Sequence, residues 1–299
     1  MGRCLFTLAL ICACNAHLGG QDNHNVTADG ATGSGGGSDG GSVMPDAPVM
    51  LGPWGTPAPV GGASSATVSE DDPTLSSDGL ELYYAVANAA GKNLYEMTRA
   101  SRSDQFANAT ALAAFNGGSA NEGPRLAYDD LTIYWGEDGE IYSATRATLT
   151  SPWTNVAKVP GVDTAAYEKW FAVCGDASHF VVSRDNGANG QDLYEGTLGN
   201  GAGTRIDTVS STASEISTFV SKDCLTLYFA SNRVAAQTQI YMSTRNAIGD
   251  AWGTPTPAPA PFAAGTDNED AGYTPDDRLF VFATTRGGNG TKDIYLSTR

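Results

Sequence analysis

The sequence predicts an all-β fold: a five-bladed β-propeller of four-stranded antiparallel blades, closed by an N-terminal strand at residues 52–60 that joins the last blade. Three observations carry this. A Leu/Ile-Tyr segment recurs five times at a period near fifty residues, an aromatic or β-branched block precedes each copy, and the two ends of the repeating region complement each other. A period of this size signals a propeller or another repeat array.

The first element is the tyrosine segment. It reads Leu94-Tyr95-Glu96-Met97-Thr98-Arg99, Ile141-Tyr142-Ser143-Ala144-Thr145-Arg146, Leu193-Tyr194-Glu195-Gly196-Thr197, Ile240-Tyr241-Met242-Ser243-Thr244-Arg245 and Ile294-Tyr295-Leu296-Ser297-Thr298-Arg299, with tyrosines 47, 52, 47 and 54 residues apart. The second is the block before it, such as Leu80-Glu81-Leu82-Tyr83-Tyr84-Ala85, Leu225-Thr226-Leu227-Tyr228-Phe229-Ala230 or Leu279-Phe280-Val281-Phe282-Ala283. Both are β-branched and aromatic runs bounded by turn residues, the composition of strands.

Each repeat divides into four strands. The first is exemplified by Pro73-Thr74-Leu75-Ser76 and Gly272-Tyr273-Thr274, and the aromatic block is the second. An aspartate turn joins them at Ser77-Asp78-Gly79, Tyr128-Asp129-Asp130, Gly175-Asp176-Ala177, Lys222-Asp223-Cys224 and Pro275-Asp276-Asp277, where the carboxylate accepts bonds from nearby amides. Polar or Gly-rich hairpins such as Gly287-Gly288-Asn289-Gly290 lead to the tyrosine strand. A variable fourth strand follows, marked eleven residues past the tyrosine by Phe106, Trp153 and Trp252, with Arg205 there in the third repeat. The repeats span about 64–112, 118–160, 164–210, 211–258 and 265–299.

The fifth repeat stops after its third strand. Ahead of the first repeat stands Gly52-Pro53-Trp54-Gly55-Thr56-Pro57-Ala58-Pro59, nearly a copy of the fourth-strand segment Ala251-Trp252-Gly253-Thr254-Pro255-Thr256-Pro257-Ala258. The lead-in is therefore expected to complete the last blade and remove the open edge a sheet otherwise exposes.

These motifs resemble the Pro-Asp variant of the WD-type propeller repeat found in TolB-type periplasmic proteins, whose pattern runs Ser-Pro-Asp-Gly, a strand ending in Ser-x-Arg, then Asp-Ile-Tyr. The matching residues are Ser76-Ser77-Asp78-Gly79, Thr274-Pro275-Asp276-Asp277, Thr284-Thr285-Arg286 with Asp293-Ile294-Tyr295, Ser183-Arg184 with Asp192-Leu193-Tyr194, and Ser231-Asn232-Arg233. The resemblance covers residues 52–299 and implies a scaffold for protein contacts rather than a particular chemistry. Five blades where six are usual, and no recognisable N-terminal partner domain, set the chain apart from a direct Tol-system role.

The N-terminal segment reads as an address. Arg3 gives a short positive region, Leu5 to Ile11 an apolar stretch too short to span a bilayer, and Ile11-Cys12-Ala13-Cys14 closes it. That run resembles the bacterial lipobox, which implies a signal peptide over 1–13 and lipidation of Cys14. The competing reading is a secretory peptide cut after Ala16. Residues 14–50, dominated by Gly, Ser, Asp and Thr between Gly30 and Ser42, read as a disordered tether ahead of a propeller domain at 51–299. The chain is thus expected at the bacterial cell envelope, in the periplasm, on the outer membrane or secreted, held to a membrane by a lipid anchor only.

Composition narrows the function. The formal net charge is -16, from 33 acidic and 17 basic residues, which repels a phosphate backbone and excludes nucleic acid as a partner. His179 is the one histidine of the repeat region and falls in an expected strand, so no Ser-His-Asp set can be assembled and no catalytic residue is assigned. Only Cys174 and Cys224 lie beyond the signal segment, so neither a Cys/His metal site nor any cofactor is expected. Cys174 aligns with Ser76 but Cys224 with Gly79. A disulfide would need their Cα atoms within ~7 Å, and two buried thiols are the expected state.

Carboxylates recur just before the first strand of each repeat: Glu70, Asp71, Asp72, Glu122, Glu168, Glu215, Asp267, Glu269 and Asp270. They are placed around one mouth of the central channel, either as a ring attracting a cation, a basic peptide or a sugar, or as structural acceptors for backbone amides. Arg184 and Arg286 are expected to pair with Asp192 and Asp293, the aspartates before their tyrosine strands. The expected protein is a monomeric, non-enzymatic module binding a protein or glycan partner. The alternative is a glycoside hydrolase using channel carboxylates.

Overall fold

The computed structural model describes residues 51–299 other than 90, 117–119, 188–189, 235–236, 260 and 263–265. The signal segment, Cys14 and the tether at 14–50 lie outside the described residues. Strand β1 is Ala58–Pro59. Blade 1 comprises β2 (Glu70–Leu75), β3 (Glu81–Asn88), β4 (Gly91–Thr98) and β5 (Ala107–Ala111), and blade 2 comprises β6 (Asn121–Leu126), β7 (Thr132–Glu137), β8 (Glu140–Thr145) and β9 (Thr154–Lys158). Blade 3 holds β10 (Glu168–Val173), β11 (His179–Asp185), β12 (Gln191–Thr197) and β13 (Thr204–Arg205); blade 4 holds β14 (Glu215–Val220), β15 (Thr226–Ser231), β16 (Gln239–Thr244) and β17 (Thr256–Pro257). Blade 5 has β18 (Asn268–Tyr273), β19 (Leu279–Thr284) and β20 (Asp293–Thr298) from the C-terminal end of the chain.

Each sheet is antiparallel and runs in chain order from the channel outward, and blade 5 takes β1 as its fourth strand. Ala58 pairs with Leu296 and Pro59 with Tyr295. The closure extends past these residues, because Gly55 N donates to Thr298 O at 2.9 Å, Val60 N to Ile294 O at 2.8 Å and Ser297 Oγ to Gly55 O at 2.7 Å. Trp54 meets Phe262 and Phe280 edge-on at 5.7 and 5.6 Å between ring centroids. The expected ring of five blades, closed by the lead-in, is what the chain forms.

The core lies between blades rather than within one. Val181 and Leu193 of blade 3 pack with Val220, Leu227 and Phe229 of blade 4, and Tyr83 and Leu94 of blade 1 pack with Ile133 and Trp135 of blade 2. A single flat sheet buries neither face, so each blade is stable only against its neighbours.

A repeated clasp explains the Arg that ends four tyrosine strands. Arg99, Arg146, Arg245 and Arg299 donate Nε to a carbonyl of their own blade's aspartate turn, Gly79, Asp130, Cys224 and Asp277, at 2.7–2.9 Å. Each guanidinium also stacks at 4.2–4.6 Å on the aromatic residue leading into the fourth strand, Phe106, Trp153, Trp252 and Trp54 respectively. Blade 3 has Leu198 after its strand in place of the arginine.

Cys174 and Cys224 form a disulfide with Cα atoms 5.2 Å apart, which corrects the expectation of two buried thiols. The misaligned positions are what the ring geometry requires. The last residue of one aspartate turn lies against the start of the preceding blade's turn, as Ser77 N shows by donating to Asp130 Oδ1 at 2.9 Å between blades 1 and 2. Cys224 stands where Asp130 stands, in the same left-handed conformation with φ 65°.

Candidate functional site: the channel mouth

The innermost strands β2, β6, β10, β14 and β18 begin at Glu70, Asn121, Glu168, Glu215 and Asn268, so Asp267 precedes its strand while the other recurrent carboxylates lie within the first three residues of theirs. Every one of the five carries a bulge at its third residue, where the register slips and φ is positive: 55° at Asp72, 62° at Gly123, 43° at Trp170, 60° at Ser217 and 58° at Asp270. A bulge re-aims side chains, and here it splits the predicted acidic ring in two.

The first-position residues serve the scaffold. Glu70 accepts Ser65 N at 2.9 Å, Glu168 accepts Thr164 N at 3.1 Å, and Glu215 accepts Ser211 N at 2.9 Å. Asp267 likewise accepts Thr238 N at 2.8 Å. These four are the backbone acceptors the simpler reading expected.

The arginine pairs differ from expectation. Arg184 donates Nε to Glu168 at 2.6 Å, while Asp192 takes Arg205 at 2.7 Å and Asn186 at 2.8 Å. Arg233 reaches Glu215 at 3.0 Å, and Arg286 reaches Asn268 Oδ1 at 3.0 Å while Asp293 lies beside Gly287 and Asn289. Arg184 and Asp192 do face each other across the ladder. Both carboxylates are buried, and each has its own arginine: Glu168 takes Arg184 and Asp192 takes Arg205.

The second- and third-position residues converge on the channel. Lys92 Nζ meets Asp71 at 2.9 Å, Asp72 at 3.2 Å and Glu122 at 3.4 Å. Lys169 meets Glu122 at 2.5 Å, and Lys292 pairs with Glu269 and lies 3.8 Å from Asp71. The carboxylates are buried, whereas the lysines keep 22–33% of their side-chain exposure and so form the outer surface of the mouth. Tyr167 and Trp170 flank Lys169, whose Nζ sits 5.0 and 5.2 Å from their ring centroids.

Below the mouth the channel is filled. Trp170 Nε1 donates to Asp72 Oδ1 at 2.6 Å across the axis, and Asp72 N donates to Asp270 Oδ2 at 3.2 Å. The indole needs Gly123, since a Cβ there would stand 2.8 Å from Trp170 Cδ1. Arg125 lies deeper, donating Nε to Thr218 O at 3.1 Å, Nη1 to Pro73 O at 2.6 Å and Nη2 to Ala271 O at 3.3 Å, so one guanidinium ties blades 1, 4 and 5 to blade 2. A void of about 20 Å³ bounded by Arg125, Tyr128, Phe219 and Tyr273 follows toward the turn face.

This packing separates the carboxylates electrostatically. Burial, then the neighbouring Asp72, push Asp71 up to about 6 against the pull of Lys92 and Lys292. Asp72 is opposed by burial too, yet Lys92 and the bonds from Asp270 and Trp170 hold it below the ordinary carboxylate range. Burial raises Asp270 well above that range, with Asp72 and Asp71 adding to it. Lys92 is held charged by Asp72, Asp71 and Glu122 despite its own burial. Among the described residues, no group of three or more His, Cys, Asp or Glu side chains is arranged to hold a metal ion.

Sequence reasoning placed Asp71, Asp72, Glu122, Glu269 and Asp270 at the channel but missed the cations. Lys92 and Lys292 each stand three residues before the repeat tyrosine, a shared position that marks them as one feature of the first and last blades. Arg125 and Trp170 carry no such signal. His179 opens β11, half-exposed and paired with Asp176, far from these groups in the ring of strands.

No family model and no curated protein matches the sequence. Solved structures do match in fold. A GH62 hydrolase in complex with xylotriose is 14% identical with TM-score 0.59, over 81% of this chain and 95% of that one. The GH62 α-L-arabinofuranosidase catalytic domain of Coprinopsis cinerea is 14% identical with TM-score 0.57, over 82% and 96%. A TolB protein of Agrobacterium tumefaciens is 16% identical with TM-score 0.47, over 72% and 69%. The chain is thus a five-bladed β-propeller whose fold is similar to that of glycoside-hydrolase propellers, at identities that speak for the fold alone.

Proposed function

We propose that the protein is a glycan-recognising propeller of the bacterial cell envelope, with the channel mouth as its binding site. One observation carries this reading: Asp71, Asp72, Glu122 and Glu269 converge with Lys92, Lys169 and Lys292 at a closed-ended mouth flanked by Tyr167 and Trp170. The charges nearly cancel, so the mouth exerts little pull on a free cation or anion. It presents the lysine ammoniums as donors beside the half-exposed Tyr167 ring, with the carboxylates behind them, an arrangement that suits the hydroxyls and C–H face of a neutral sugar.

A glycan array should show binding that falls at least tenfold in Lys92→Met and in Glu122→Gln. An array without hits, or variants that bind as the parent does, defeats the proposal. A second reading, glycosidic hydrolysis, is favoured by the divergence of Asp71, raised to about 6, from the ionised Asp72 beside it, the pattern of a general acid next to a charged partner. If Asp71 is the acid, turnover is highest below pH 6 and falls about tenfold per unit above it, because the protonated form is lost there. Asp71→Asn then abolishes turnover while retaining binding, and a hydrolysis screen without product rejects this reading.

The envelope location rests on the lipobox-like Ile11-Cys12-Ala13-Cys14. Cys14→Ser is expected to move the protein from the membrane to the soluble fraction, and retention with unchanged lipid labelling refutes the anchor.

A further inference from the structure

On the turn face, at the other end of the innermost strands from the channel mouth, the boundary between blades 4 and 5 holds an open groove of about 570 Å³. Much of its lining is apolar. Trp54, Met242 and Pro259 contribute, together with the half-exposed rings of Tyr228 and Tyr273, which meet edge-to-face at 5.6 Å between centroids. Trp54 and Tyr228 are held from behind, each set edge-on to the buried Phe280 at 5.6 and 5.8 Å.

The polar part of the groove is balanced in charge. Arg299 pairs with the Asp277 carboxylate while stacking on Trp54 at 4.2 Å, and the exposed Lys222 and Asp223 add one charge of each sign. Such a lining draws neither a cation nor an anion by net charge. One hydroxyl is left over. In blade 1 the Tyr83 hydroxyl donates to Glu81 at 3.1 Å and accepts from Arg146 Nη1 at 3.3 Å. Tyr228 stands at the same register position, opposite Met242 as Tyr83 is opposite Glu96, but Thr226 stands where Glu81 does and is too short to reach it. Among the described residues the Tyr228 hydroxyl has no hydrogen-bond partner, although it feels the Arg299 charge.

We propose that this groove is a second saccharide site, taking a neutral, flat glycan whose hydroxyls are all equatorial. Such a sugar carries its hydroxyls around the ring edge and leaves apolar C–H faces, which suit the aromatic and aliphatic lining, and the volume is that of a small-ligand site. A hydroxyl donates and accepts at once, so it can serve Asp277 and Arg299 together, Lys222 and Asp223, or the unpaired Tyr228 hydroxyl. A proline-rich peptide also suits an aromatic groove, but without N–H donors it would cover Asp223 and Asp277 and leave them unbonded, a cost the sugar avoids. The groove stands where β14 and β18 end and the mouth where they begin, with Arg125 between, so its assignment is independent of the mouth's.

Calorimetric titration of the full chain with cellotetraose, tetragalacturonate and an oligoproline peptide tests this. Cellotetraose is expected to bind about tenfold more tightly than either of the others, which bring an unmatched charge or no donors. Tyr228→Phe removes only the hydroxyl and should weaken cellotetraose about fivefold, the worth of one neutral hydrogen bond, with Tm unchanged because that hydroxyl supports nothing in the free protein. Met242→Trp fills the groove and should abolish binding, while Lys92→Met, at the mouth, should leave it unaltered. Absence of cellotetraose binding, tighter binding of the acidic sugar or the peptide, full affinity in Tyr228→Phe or Met242→Trp, or loss of binding in Lys92→Met overturns the proposal.

Discussion

Arg125→Leu is expected to lower stability by about 3–5 kcal/mol, the range for removing one partner from a buried charged hydrogen-bonded group. Its guanidinium is 2% exposed and donates to carbonyls on three other blades. Leucine fills part of the volume but leaves Pro73 O, Thr218 O and Ala271 O without these donors, and it removes the positive charge that faces Asp270 and Asp72. Arg125→Lys keeps the charge but cannot fork to three blades, so it should recover only part of the loss. Thermal unfolding is the measurement, with a fall in Tm on the order of 10 °C for the leucine variant. A change below about 1 kcal/mol would show that the plug is not a structural tie.

Removal of residues 52–60 is expected to have a larger effect still. It deletes the β1 pairing to β20, the flanking bonds at Gly55 and Val60, and the Trp54 ring that packs on Phe262, Phe280 and Arg299. Trp54 is half-buried, so its loss costs less than the ~3–5 kcal/mol of a fully buried tryptophan, and the lost strand pairing adds to it, while the exposed edge of β20 adds a tendency to associate. Trp54→Ala isolates the packing from the strand pairing. Denaturant unfolding should show the midpoint falling in the order intact, Trp54→Ala, deletion. An intact midpoint in the deletion would mean that the ring does not depend on its closure.

The fold was legible because a propeller repeats its instructions. The tyrosine strand, the aromatic block and the aspartate turn recur in each blade, and the tryptophan lead-in announces its partner by its likeness to 251–258. The channel mouth was legible only in part. Counting carboxylates ahead of the first strand grouped Glu70, Glu168 and Glu215 with Asp71, Glu122 and Glu269, although a shift of one residue sends a strand side chain to the other face. The cations were harder, since Lys92 and Lys292 come from hairpins and Lys169 replaces an acid in the repeat. The disulfide was hidden by the same offset: repeat alignment places Cys174 and Cys224 at different positions, while neighbouring blades bring those positions together.

The sequence by itself determined the number of blades, the order of strands within each and the way the ring closes, because those depend on periodic hydrophobicity and on strand edges that must be paired. Tertiary structure alone decided which carboxylates face the axis and which cation each one meets. Those outcomes depend on bulge geometry and on contacts between blades some fifty residues apart in the chain. The burial that sets Asp71, Asp72 and Asp270 at different proton affinities exists only once five innermost strands stand around one axis.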